Sequence, residues 1–222
     1  MAIIPIEIIS DPICPWCFIG YRSLQRTIAL YKKTYPGGSN DEFRIEWKPY
    51  FIDEVEPAES VLINDRMARR MTQPQIDAAQ TRLKRAGRAV GIEFRFGGYI
   101  GSSRLAHRVL YLAGLEGGGQ GQVQCAVAER LFAYQFEMER DVSEVAVVVQ
   151  AAGEGGLDGD AVREVLRGAA GMEEVEREAR ELREGGVQGV PHFVIGGGHH
   201  FDGAGDMGEF FEAFVAARGG VE

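Results

Sequence analysis

The feature that most constrains how this chain folds is an abrupt change of pattern within its first 35 residues. Ile3 to Ile9 is apolar at nearly every position and stops at Ser10-Asp11-Pro12. A short apolar run ended by a turn signal reads as a strand covered on both faces, as buried parallel strands are. From Cys14 onward the period changes: Leu24, Ile28, Tyr31 and Tyr35 recur at helical spacing until Pro36-Gly37-Gly38 closes the segment. A buried strand that feeds directly into an amphipathic helix commits the chain to an α/β architecture. The junction carries Cys14-Pro15-Trp16-Cys17.

The rest of the chain extends the pattern. Phe43, Ile45 and Trp47 alternate with Arg44, Glu46 and Lys48, which is the period of a half-buried strand, and the spacing predicts its end near Ile52. An acidic loop, Asp53 to Glu59, follows. Residues 61–184 read as helices with no strand longer than a few residues: Leu105, Val109 and Leu112 form one stripe, and Val127, Leu131, Tyr134 and Met138 another. Glycine clusters at 117–121 and 153–159 are expected to be loops. After the charged helix Met172 to Glu184 come His192 to Ile195, a Gly196 to Gly198 turn, and His199 to Phe201, a β-hairpin. A last helix places Met207, Phe210, Phe211, Phe214 and Val215 on one side. The order is βαβ, a block of helices, then ββα. The expected division is 1–52 and 185–222 as two parts of one α/β domain, with 53–184 as a helical insertion.

Composition excludes some classes of function. A net charge of −9 argues against nucleic acid, whose phosphates need clustered Lys and Arg. No apolar run approaches the roughly 20 residues that span a bilayer, and the start of the chain, interrupted by Pro5 and Glu7, does not read as a signal peptide. The expectation is a cytoplasmic protein without a membrane partner. Three cysteines are a poor disulfide framework, and two of them three apart in such a protein point to redox chemistry.

The strand-to-helix junction gives that chemistry a mechanism. At a helix N-terminus, free N–H groups and the helix dipole stabilise a thiolate, lowering a thiol pKa from about 8.5 towards about 3.5 to 7. Cys14 is the expected nucleophile. Cys17, one turn further and deeper, is the expected resolving thiol. Alternatively the pair forms half of a zinc site, with Cys125 or the histidines 107, 192, 199 and 200 as further ligands; no second pair has matching spacing, and the expectation is no metal. Pro191, in Gly189-Val190-Pro191, reads by itself as an ordinary trans proline that opens a strand.

Two segments together resemble a known family. Ser-Asp-Pro-Ile-Cys-Pro-Trp-Cys-Phe-Ile-Gly at 10–20 and Gly-Val-Gln-Gly-Val-Pro-His-Phe-Val-Ile at 186–195 are similar to the FrnE-like branch of the DsbA family. Ala106-His107-Arg108-Val109-Leu110, Leu131-Phe132-Ala133-Tyr134-Gln135-Phe136 and Arg140-Asp141-Val142-Ser143 resemble its helical insertion. The resemblance implies a thioredoxin-like fold interrupted by that insertion, Cys14 and Cys17 as redox pair, and a cis-Pro191 facing them, with Val190 offering its backbone to substrate. Related 2-hydroxychromene-2-carboxylate isomerases and kappa-class glutathione transferases carry Ser where this chain has Cys14, so both thiols favour disulfide exchange.

The remaining candidates each have two readings. His192, a departure from the family pattern, either stabilises the Cys14 thiolate or is an outward strand residue. His107 either borders the substrate cleft, as the resemblance implies, or packs within a helix. Trp16 either contacts substrate or shields the disulfide. Asp206 either holds the γ-glutamyl end of glutathione, as the resemblance implies, or caps the last helix. Asp11 shapes the turn into the first helix, Cys125 is a small buried residue, and His199-His200 is an exposed hairpin edge. The functional expectation is a thiol–disulfide oxidoreductase acting on protein dithiols or disulfides or on a small molecule. It has no tightly bound cofactor, with glutathione as an optional co-substrate, and is a monomer or homodimer. A glutathione-dependent transferase or isomerase of aromatic compounds, and a non-catalytic zinc protein, are the alternatives.

Overall fold

Burial of the first strand organises the molecule. A computed structural model describes residues 1–116 and 121–219. Strand β1 (Ile3–Ser10) leads into helix α1 (Pro15–Thr34), and β2 (Glu42–Pro49) follows. Next come β3 (Val61–Leu62), α2 (Ile63–Ala68), α3 (Gln73–Val90), β4 (Tyr99–Ile100), α4 (Arg104–Glu116), α5 (Gln122–Phe136), α6 (Val145–Glu154), α7 (Gly159–Arg167) and α8 (Met172–Glu184). The chain closes with β5 (His192–Ile195), β6 (His199–Asp202) and α9 (Met207–Gly219). The order βαβ, helices, ββα is the expected one. Of the two glycine loops, 117–121 lies outside the described residues apart from Gly121.

The central sheet runs β2-β1-β5-β6, with β1 parallel to β2 and antiparallel to β5, and β5 antiparallel to β6. Residues from the start and the end of the chain thereby meet on both sides of β1. Ile4, Ile6 and Ile8 are fully buried in one core with Phe18 and Leu24 of α1 and Phe210 and Phe214 of α9. The expectation that β1 is covered on both faces holds only for its carboxyl end: Ile3 is 38 % exposed and Pro5 is exposed, whereas Ile9 is buried. The second sheet face is covered towards β2, where Glu178 of α8 binds Lys48 at 2.8 Å.

Two sequence boundaries move. Strand β2 ends at Pro49 instead of near Ile52, because the chain swings to place the Tyr50 N–H on Ser10 and the Ile52 N–H on the Asp11 carboxylate. Helix α5 stops at Phe136, so Met138 lies beyond it and is half exposed, while Val127, Leu131 and Tyr134 are buried as their spacing requires.

Helix α4 runs through the middle of the helical block and buries charge as well as apolar surface. Arg108 is 3 % exposed, and its guanidinium donates to the carbonyls of Val165, Leu166, Gly168 and Ala170 around the end of α7. Val165 and Leu166 lie in the last turn of α7, at the negative end of its dipole, and Gly168 and Ala170 follow it, so one buried cation gathers the carbonyls of the helix end and of the turn that leaves it. Removing it strands several buried acceptors. Arg108→Met is expected to destabilise the protein by about 2–4 kcal/mol, with Arg108→Lys losing less; the midpoints of urea unfolding in the two variants check this.

Candidate active site

The site begins at a buried carboxylate. Asp11 is fully buried where β1 ends. Its side chain accepts hydrogen bonds from the N–H of Ile13 at 3.2 Å and of Ile52 at 2.8 Å, and its backbone carbonyl accepts from the Cys14 N–H at 2.9 Å. One residue thus folds the turn before the dithiol and ties it to the segment after β2. The sequence marks Asp11 as a turn residue; its hold on Ile52, 41 positions away, has no signal in the sequence.

Cys14 is the N-cap of α1, with extended backbone and Pro15 at the first helical position, where a missing N–H costs nothing. Its carbonyl accepts from the N–H of Cys17 at 3.1 Å, and its Sγ lies 3.8 Å from the Val190 carbonyl oxygen. The Val190–Pro191 peptide is cis. The end motifs of the chain therefore meet at one sulfur atom. Cys14 and Cys17 are both free thiols. Cys17 is wholly buried, and that burial, followed by the neighbouring Cys14 thiol, pushes its thiol well above the ordinary range. The Ser10 hydroxyl and the Asp11 backbone offset this only in part.

The other sequence candidates divide. Trp16 is half-buried beside Cys14, and the Arg82 guanidinium of α3 lies over its ring, 4.9 Å from the centroid. His107 is buried at 3 %; its Nε2–H donates to the Tyr50 carbonyl at 3.1 Å, 3.7 Å from the Asp11 carboxylate, and its ring meets Phe51 edge-on. It therefore supports the Asp11 turn from behind, within the helical packing. His192 is also buried, and both ring nitrogens are engaged inside the hairpin, Nδ1 with Asp202 at 2.8 Å and Nε2 with His200 at 3.1 Å. Neither nitrogen is left to pair with Cys14, so the thiolate-stabilising reading is corrected by the hairpin's own hydrogen bonds. Nor is His192 an outward residue: it is buried, in the wall of a cavity that it shares with Glu181 and Leu182 of α8 and with Gly185 to Val187.

Asp206 caps α9: its Oδ1 accepts from the Gly208 N–H at 2.7 Å, and its own N–H donates to Glu209 at 3.2 Å. Cys125 is largely buried, receives the Trp47 indole N–H at 3.3 Å, and has its thiol pushed up by burial. His199 and His200 are exposed on β6. Among the described residues no three His, Cys, Asp or Glu side chains are grouped to hold a metal ion. Nor is any described helix long and apolar enough to cross a membrane.

Comparison with known proteins assigns this arrangement to a family. The DSBA-like thioredoxin domain matches residues 5–215. The chain belongs to that family. The structure is similar to that of a probable DsbA oxidoreductase from Streptomyces coelicolor, with 27 % identity and a TM-score of 0.84 over 97 % of this chain and 90 % of that one. The cytosolic disulfide reductase DsbM from Pseudomonas aeruginosa shares the fold at 13 % identity, with a TM-score of 0.58 over 98 % of this chain and 96 % of that one. An uncharacterized Bacillus subtilis protein, YwbO, is 23 % identical over 193 residues, 86 % of each chain. A 2-hydroxychromene-2-carboxylate isomerase likewise shares the fold, at 16 % identity and a TM-score of 0.58 over 96 % of this chain and 93 % of that one.

Two buried thiols and one buried phenol predict how stability depends on pH. Burial raises the folded-state pKa of Cys17, Cys125 and Tyr21. The unfolded chain then gives up these protons first, so above about pH 8.5 it binds fewer protons than the folded one and stability falls as pH rises. Below that pH the contribution is complete. Thermal unfolding of the reduced protein is expected to show a progressive loss of midpoint from about pH 8.5 upward, with a shallower slope in Cys17→Ala.

Proposed function

We propose that the protein is a thiol–disulfide oxidoreductase that works through Cys14 and Cys17. The observation that carries this reading is the placement of Cys14 Sγ at the N-terminus of α1, against the Val190 carbonyl, with Cys17 buried one turn deeper. A thiolate is the attacking species in such exchange, and Cys14 supplies it. That thiolate attacks one sulfur of a substrate disulfide, forms a mixed disulfide, and releases the other sulfur as a thiolate that takes up a proton. The second step belongs to Cys17, which loses its proton and attacks Cys14 Sγ. The substrate leaves as a dithiol and the protein holds the Cys14–Cys17 disulfide, which a second dithiol then reduces.

The environment of Cys17 suits this order of events. A buried thiol with a raised pKa stays protonated while Cys14 is free, and so does not compete for the incoming disulfide. An extended substrate lies against the Val190 backbone and Pro191, with Trp16 beside the reacting sulfur. Glutathione enters the scheme as a co-substrate that exchanges at Cys14, and Asp206 is the residue to vary in testing a dedicated contact for it. The proposed compartment is the cytosol, where such a dithiol is held reduced and acts as a reductase or isomerase.

Three proteins test the mechanism by reduction of a small disulfide and by intact mass. Cys14→Ser is expected to lose turnover by roughly 10⁴-fold or more, as enzymes do on removal of a nucleophile. Cys17→Ser is expected to accumulate a stable glutathione adduct on Cys14 when given oxidised glutathione, while the wild type passes on to an internal disulfide. Full turnover by Cys17→Ser would instead place the chemistry with the glutathione-dependent transferases and isomerases.

A further inference from the structure

Helices α2 and α3 carry the reverse of the protein's overall charge. Residues 63–90 contain seven Lys and Arg against two Asp, in a chain of net charge −9. Several surface arginines elsewhere are paired with carboxylates, Arg104 with Glu176, Arg163 with Asp160 and Arg183 with Glu54, while Arg95, Arg177 and Arg180 stand exposed with no such partner among the described residues. In the acidic loop after β2, Arg66 holds Asp53 through two hydrogen bonds. What sets Arg69, Arg70, Arg82, Lys84 and Arg85 apart is their concentration in one stretch that carries only two carboxylates. All five are exposed, and among the described residues none has a carboxylate within ion-pair distance; Arg88 reaches Glu93 only at 3.8 Å.

The position of this face matters as much as its charge. Arg82 lies over Trp16, inside the Cys14-Pro15-Trp16-Cys17 turn, so the basic surface starts at the reacting sulfur. Arg69 and Arg70 stand at the other end of α3, before the capping box at Thr72, separated from Arg82 by residues 71–81, which carry no Lys or Arg. At about 1.5 Å per residue the span from there to Arg88 is roughly 25 Å. That is longer than a small disulfide and suits an extended stretch of polypeptide.

We infer that α2 and α3 dock a protein substrate whose disulfide is flanked by an acidic segment. The inference rests on the dithiol exchange proposed above and specifies its substrate. Exposed charges of one sign raise encounter rates with an oppositely charged partner, and salt removes the effect.

The test uses pre-reduced full-length protein in single-turnover exchange with four substrates: a peptide disulfide flanked by glutamates, the same peptide flanked by lysines, uncharged hydroxyethyl disulfide, and oxidised glutathione. At low ionic strength the glutamate peptide is expected to react about 10-fold or more faster than the lysine peptide, with the ratio falling towards one at high salt. Arg82→Glu/Lys84→Glu/Arg85→Glu is expected to invert the ratio, and the wild-type salt series decides the question alone if that variant does not fold. Equal peptide rates, with hydroxyethyl disulfide still reduced, would overturn the docking surface and leave the exchange chemistry standing. Faster reaction with oxidised glutathione than with either peptide would overturn it in favour of a small anionic substrate. No exchange with any substrate would remove the redox reading itself and the docking surface with it.

Discussion

A fully buried carboxylate at the end of the first strand holds together everything that the proposed chemistry uses. Asp11 fixes the turn that delivers Cys14 to the helix N-terminus and fastens the segment after β2 to the same point. His107 and Phe51 close over it from α4 and from the end of β2. A charge taken out of water is expensive unless its lone pairs are satisfied, and here backbone N–H groups from two distant segments satisfy them. The cost of burying Asp11 is thereby turned into positional precision at the sulfur three residues on.

The same logic recurs in the helical block, with the sign reversed. Arg108 takes the place of solvent for the carbonyls around the end of α7, so α4 and α7 are joined by hydrogen bonds as well as by apolar contact. Buried polar groups of this kind contribute to a unique arrangement because any other packing would strand them. The helical block meets the sheet through α4, α5 and α8, and it meets α1 through α3 and α5. The Cys14 turn consequently sits where three separately coded parts of the chain converge: the β1–α1 turn, the Val190–Pro191 segment, and α3 with its cations.

This convergence separates two tasks. Close around the sulfur the environment is tight and backbone-built: Cys14 against the Val190 carbonyl, Cys17 enclosed beneath. Further out, the surface is charged and open along α2 and α3. The proposed chemistry and the proposed partner contacts therefore draw on different elements, which meet where Arg82 lies over Trp16.

Much was legible in the sequence because it is local. The apolar run of β1, the helical period of α1, the alternation in β2 and the glycine turn of the β5–β6 hairpin each declare themselves over fewer than about 20 residues, the range over which periodicity speaks. The position of Cys14 at a helix start follows from that alone, and the pairing of the two end motifs from their resemblance to a family. What only the tertiary structure decided is long-range: the exposure of the first residues of β1, the early end of β2, the burial of His107, and the capture of His192 by Asp202 and His200. None of these is fixed by spacing, because each depends on which distant backbone or side chain arrives opposite. The sequence determines what each segment can form and which sulfur stands at a helix start; the packing determines what every buried polar group must pair with, since an unpaired one in the interior costs more than local preference supplies.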